Sequence, residues 1–117
     1  MSVERIECEP RMSMATLHGG VAYLAGQVAE RAPGAPAAEQ TRDVLAWIDE
    51  FLAAAGTDKS RLLSATIYLA DRQDGAAVNG VWEAWLPAGC APARATVEAR
   101  LASADYRVEI VVTAALR

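Results

Sequence analysis

The sequence predicts an α+β domain built on a mixed β-sheet, and two patterns predict it. Residues 94–101 alternate apolar and polar side chains with the period of a half-buried strand, and 107–115 are read as the strand that follows them. Thr41, Val44, Leu45, Ile48, Leu52 and Ala55 recur at three-and-four spacing, the stripe of an amphipathic helix laid on a sheet. Helical segments fall between strands while neighbouring strands join through turns, so the expected order β-β-β-α-β-α-β-β makes an α+β sandwich. At 117 residues the chain is expected to form one domain, 1–117. A domain of this size is small for an enclosed active site, which leads us to expect an oligomer with sites between subunits.

Residues 3–9 alternate and predict a short edge strand ended by Pro10, which lacks a ladder donor. Residues 14–18 and 21–28 flank Gly19-Gly20, a hairpin signature, and the second run is apolar on both faces, as in a central strand. Gly26 within it marks a bulge or a close backbone approach. Residues 30–36 form a loop by composition. The first helix starts at Ala37 and stops at Gly56. Residues 59–70 predict the next strand. Asp71 or Asp74 caps a second helix that runs to about Leu86, where Pro87 stops it, with Val78, Val81, Trp82 and Trp85 as its apolar stripe. Residues 94–101 and 107–115 are expected to pair as a C-terminal hairpin.

Composition narrows the function classes. Hydrophobic residues are 53% of the chain, charged residues 22%, and the net charge is −4 with no basic run. Nucleic-acid binding calls for a positive face, so no nucleic-acid partner is expected. Cys8, Cys90 and His18 are isolated, which supports neither a zinc site nor a disulfide scaffold, and no metal or other cofactor is expected. The charged start and the lack of a run of roughly twenty apolar residues predict a cytoplasmic protein without a membrane partner. Within the alternating strand, Arg94 reads two ways: as a solvated strand residue, or as a fixed fork for a carboxylate or phosphate.

Six segments in order resemble the Rid family, the RidA or YjgF-like reactive intermediate deaminases. They are Val21-Ala-Tyr-Leu-Ala-Gly-Gln27, Gln40-Thr-Arg-Asp-Val-Leu45, Ser64-Ala-Thr-Ile-Tyr-Leu-Ala-Asp71, Val78-Asn-Gly-Val-Trp82, Pro92-Ala-Arg-Ala-Thr-Val97 and Val108-Glu-Ile110. The resemblance implies a chorismate-mutase-like sheet with two helices packed on one face, assembled as a homotrimer with inter-subunit clefts. It implies cofactor-free hydrolysis of 2-imino acids, or their enamine tautomers, released by pyridoxal-phosphate enzymes, to 2-oxo acids and ammonia. Arg94 falls on the family's substrate-carboxylate arginine and Glu109 on the carboxylate that positions water. Thr96 and Asn79 fall on other cleft positions. If residues 94–101 and 107–115 form a regular hairpin, parity places Glu109 on the same side as Arg94 and Thr96.

The chain departs from the family at three places. Thr96 stands where many RidA proteins have cysteine, Ala25 where they have serine, and Arg11-Met-Ser13 occupies the place of a tyrosine. Each lost hydroxyl removes a possible substrate hydrogen bond of about 1 kcal/mol. Arg11 or Ser13 is expected to replace them, altering substrate preference more than reaction type. The resemblance also leaves open a non-catalytic module binding a 2-oxo or amino acid at Arg94, and the RNA-directed roles attached to some relatives, which the acidic charge disfavours. Arg11→Ala is expected to change the relative rates on different imino acids; identical rates across the series would reject a role for Arg11.

Overall fold

The computed structural model describes residues 2–117. Its first hairpin follows from glycine chemistry. Strands β2 (Ala15–His18) and β3 (Val21–Leu24) are joined by Gly19 and Gly20 at φ 60° and 80°, the left-handed pair that matches the strand twist of a two-residue turn. β1 (Glu4–Ile6) adds antiparallel to β2. It is shorter than alternation predicts because Glu7 takes φ 48° and turns the chain out of the ladder. The expected 21–28 strand is two strands: it breaks at Ala25–Gly26, and β4 (Gln27–Val28) resumes against a different stretch of partner.

Helix α1 (Ala37–Ala54) buries Thr41, Val44, Leu45, Ile48, Phe51 and Leu52 against the sheet, as its periodicity requires, and Gly56 at φ 83° ends it. The expected 59–70 strand begins later: a 3-10 turn over Lys59–Arg61, capped by Asp58, precedes β5 (Leu62–Leu69). The Asp71 carboxylate accepts from the Gln73 N–H at 2.8 Å and caps a second 3-10 turn, whereas Asp74 stands before α2 (Gly75–Trp85) without a side-chain cap. Val78 and Trp82 are the buried residues of α2.

The last two strands correct the expected hairpin. β6 (Ala93–Glu98) lies parallel to β5 at one sheet edge, while β7 (Val108–Ala115) runs antiparallel along β5's other side. The sheet order is β1-β2-β3-β7-β5-β6, with β4 also on β7. Residues 99–107 therefore arch over the end of β5. They are tied there by Ala99 N–H to Leu69 O at 2.9 Å and Ala70 N–H to Arg107 O at 3.0 Å. β7 has neighbours on both sides, and its even residues Val108, Ile110, Val112 and Ala114 are buried beneath the helices.

One buried amide joins α1 to this arch. Gln40 is inaccessible to solvent, and its Nε2 donates to Ala35 O (3.0 Å) and Asp105 O (2.8 Å) while its Oε1 accepts from Arg107 N–H (2.7 Å). Both donors and the acceptor are used, the condition for burying an amide without penalty. Gln40→Ala strands these backbone groups and is expected to cost about 2–4 kcal/mol, measured by urea unfolding.

Candidate active site

The sheet's two faces separate the residues that the sequence singles out. Arg94 pairs with Ala65 and Thr96 with Ile67, both buried beneath the helices, so Arg94 and Thr96 share the helix face. Glu109 pairs with Tyr68 and Val28 and belongs to the odd, open row of β7. Arg94 and Glu109 thus lie on opposite faces of the sheet within one chain. They are also two strand spacings apart across the sheet, roughly 10 Å, and offset by three residues along it. This corrects the parity expectation, which assumed direct pairing of β6 with β7; inserting β5 and its register reverses the face.

The helix-face group is built at the α2–β6 flank. β6 is an edge strand, exposed along its whole length. The Arg94 guanidinium carbon lies 6.0 Å from the centre of the Trp82 ring, at the outer range of a cation–π contact. Trp82 is itself fixed: it is 3% exposed and packs on Trp85 at 5.5 Å, whose Nε1 donates to Asp49 Oδ2 at 3.0 Å. Trp82 therefore belongs to the core and at the same time flanks Arg94. Asn79, half-buried, lies one turn before Trp82 on α2. Thr96 follows Arg94 on the same face and is likewise exposed. At the strand's end, Glu98 accepts from Arg72 N–H at 2.9 Å and ties β6 to the turn before α2.

The open-face group gathers where β3 breaks. A Cβ placed on Gly26 would lie 2.2 Å from Glu109 Oε2, so the carboxylate rests against bare glycine backbone. Ala25 N–H donates to Met14 O at 2.9 Å, bringing the segment that contains Ser13 beside this break. Arg11 is exposed at the tip of the β1–β2 turn, closed by Glu9 N–H to Met12 O at 2.8 Å. One chain thus places Arg94 and Thr96 on the helix face, with Asn79 one helical turn from Trp82. Glu109 stands on the open face beside the Ala25–Gly26 break, and the chain does not bring Arg94 and Glu109 together. A concavity of about 740 Å³ under the 99–106 arch reaches Glu98 and Arg100 but neither Arg94 nor Glu109.

Sequence patterns missed the role of Gln40 and, at Gly26, the partner in the close approach they marked. A glycine inside a strand signalled Gly26, but its contact required the fold. Gln40 carried only the signal of a polar residue on the first turn of an otherwise apolar helix face. Among the described residues no cluster of His, Cys, Asp and Glu is arranged to hold a metal ion, both cysteines are free, and no helix is long and apolar enough to cross a membrane.

This architecture has close counterparts. Residues 3–116 match the family model described as endoribonuclease L-PSP. The chain belongs to this family, the Rid or YjgF family. It is 46% identical over 116 residues to the RutC family protein YoaB of Escherichia coli, covering 99% of this chain and 100% of that protein. A crystal structure of a YjgF family member from Neisseria meningitidis matches with TM-score 0.96 and 51% identity, covering 100% of this chain and 97% of that one. A protein of Bos taurus named 2-iminobutanoate/2-iminopropanoate deaminase is 34% identical over 104 residues, covering 84% of this chain and 74% of that protein.

The double duty of Trp82 generates a prediction. Trp82→Ala should destabilise the fold by about 3–5 kcal/mol in urea unfolding, the usual cost of emptying a buried aromatic site.

Proposed function

We propose that the protein hydrolyses reactive 2-imino acids, or their enamine tautomers, to 2-oxo acids and ammonia, with no cofactor. The observation that carries this reading is the Arg94 guanidinium, set against Trp82 on an open edge strand. Among the described residues Arg94 forms no ion pair, as is also true of Arg5, Arg11, Arg42, Arg61, Arg72 and Arg100, but of these only Arg94 stands over an aromatic ring. The deaminase named among its relatives adds support.

An imino acid carries a planar carboxylate next to an electrophilic C=N carbon. Arg94 accommodates the carboxylate with two parallel hydrogen bonds, which fixes the carbon relative to the protein and makes water addition effectively unimolecular. Glu109 orients the water and takes its proton as the water oxygen bonds to carbon. That proton passes to nitrogen to give the carbinolamine; its hydroxyl proton then moves to nitrogen by way of the same carboxylate, the C–N bond breaks, and ammonia leaves as the C=O forms. Thr96 and Asn79 line the carboxylate side; Ala25, Ser13 and Arg11 belong to the water side.

Because Arg94 and Glu109 stand on opposite faces of the sheet, this chemistry requires a second copy to join the two halves. We take the assembly to be a homotrimer with the site in each inter-subunit cleft. Tyr23 and Val97, exposed apolar residues on the open sheet face, suit burial against other copies. An RNA substrate is disfavoured by the net charge of −4, which repels phosphates.

The test generates imino acid in situ with an amino-acid oxidase and follows its disappearance. Arg94→Lys keeps the charge but loses the fork, and kcat/KM should fall about 10- to 100-fold. Equal background rates for both proteins would favour a module that only binds, tested next by thermal stabilisation with a 2-oxo acid. Arg94→Ala and Glu109→Gln chains, each strongly impaired but measurable alone, should recover activity when co-assembled in equal amounts, with about a quarter of the sites native by random pairing across cyclic interfaces. No recovery in confirmed mixed oligomers would refute a shared site.

A further inference from the structure

Gly26 is a glycine that its backbone does not require. Its φ lies outside the left-handed region that favours glycine, in contrast to Gly19, Gly20, Gly34, Gly56 and Gly89. An L-residue would be acceptable there on conformational grounds. The missing side chain is explained by occupancy instead. A Cβ would meet Glu109 Oε2 at 2.2 Å, its Cδ at 3.0 Å and its Cγ at 3.3 Å, and these are its three nearest neighbours.

All three atoms belong to the outer part of one flexible side chain. Alanine at this position would therefore cost the fold little, because the glutamate can swing aside. What it would change is where the carboxylate sits. None of the three ion pairs among the described residues involves Glu109. Val28 and Tyr68 flank it across the ladder on either side. The break between β3 and β4 brings the Gly26 backbone in as the remaining wall.

We propose that Gly26 is a positioning residue, a side-chain-free seat that fixes the Glu109 carboxylate; the consequence for catalysis rests on the deamination reading above. A water-orienting carboxylate must be held to within about 0.5 Å of its productive place, and a seat of bare backbone does this without a competing cation. Any side chain at position 26 displaces the carboxylate while leaving the Arg94 half of the site untouched. The expected signature is a loss in kcat with KM preserved.

Gly26→Ala should lower kcat for imino-acid hydrolysis about 10- to 100-fold, the scale of a 1 Å misplacement, with KM within about twofold of wild type. Its thermal midpoint should stay within about 3 °C, and in a Glu109→Gln background it should lower kcat no further. In carboxyl carbon-13 NMR, the Glu109 resonance should shift between wild type and Gly26→Ala. An unchanged resonance, an unchanged kcat, or a fall of more than about 10 °C in the midpoint would each overturn the seat. Should Glu109→Gln itself leave kcat intact, the catalytic role of Glu109 fails, and the resonance alone decides whether Gly26 seats the carboxylate.

Discussion

The burial of β7 in the interior of the sheet is the constraint on which the rest of the molecule depends. Val108, Ile110, Val112 and Ala114 lie beneath the helices, and the strand is bonded to β3 and β4 on one side and β5 on the other. A slip of one residue would expose three large apolar side chains, each worth about 1.5–3 kcal/mol when buried, and drive Arg107 and Glu109 into the core. Register is therefore fixed by packing, and with it the face on which Glu109 appears. Because β5 passes the same register to β6, the core also dictates that Arg94 emerges on the other side.

Gln40 connects this register to the helical layer. Its amide grips the 99–107 arch from the first turn of α1, and Arg107, whose N–H it receives, stands two residues before Glu109. A fully satisfied polar contact inside an apolar layer admits few alternative arrangements, since a shifted register would leave the amide or its backbone partners unpaired. Hydrophobic packing selects the face that β7 buries, and the amide anchors the point at which the strand begins.

What the sequence made legible follows from the range of its signals. The Gly19-Gly20 turn and the α1 stripe are local, and both appear where the chain predicts them. Strand neighbours are not local. Period two states which residues share a face within β6 or within β7, but not that β5 runs between them, so the hairpin and the parity drawn from it failed together. Loop length gave no warning: the expected connection, 102–106, is five residues and within the usual range, and only the early end of β6 at Glu98 lengthens it to 99–107. The split of the 21–28 strand followed the glycine that marked it. Alternation left Arg94 as one exposed charge among several, and its singular position against Trp82 needed the packing of α2 against β6. The roles assigned to Arg94, Glu109, Thr96 and Asn79 came from resemblance, and the fold adds their separation into two groups.

That separation has an electrostatic logic under the proposed reading. A guanidinium and a carboxylate side by side on one strand pair would form an ion pair, and each would spend on the other the hydrogen bonds meant for substrate and water. On opposite faces they cannot meet within a chain. Under that reading they would approach only across a junction between copies, with an anionic substrate between them, its carboxylate towards Arg94 and its electrophilic carbon towards Glu109. Two of the three departures from many RidA proteins, Thr96 and Ala25, divide in the same way. Thr96 shares the strand face of Arg94, and Ala25 adjoins the glycine that seats Glu109. A change at Thr96 acts on how the carboxylate is held, and the hydroxyl lost at Ala25 acts on the water side. Placing Glu109 then falls to shape, to the flanking Val28 and Tyr68 and the bare backbone of Gly26, more than to a second hydrogen-bonding group.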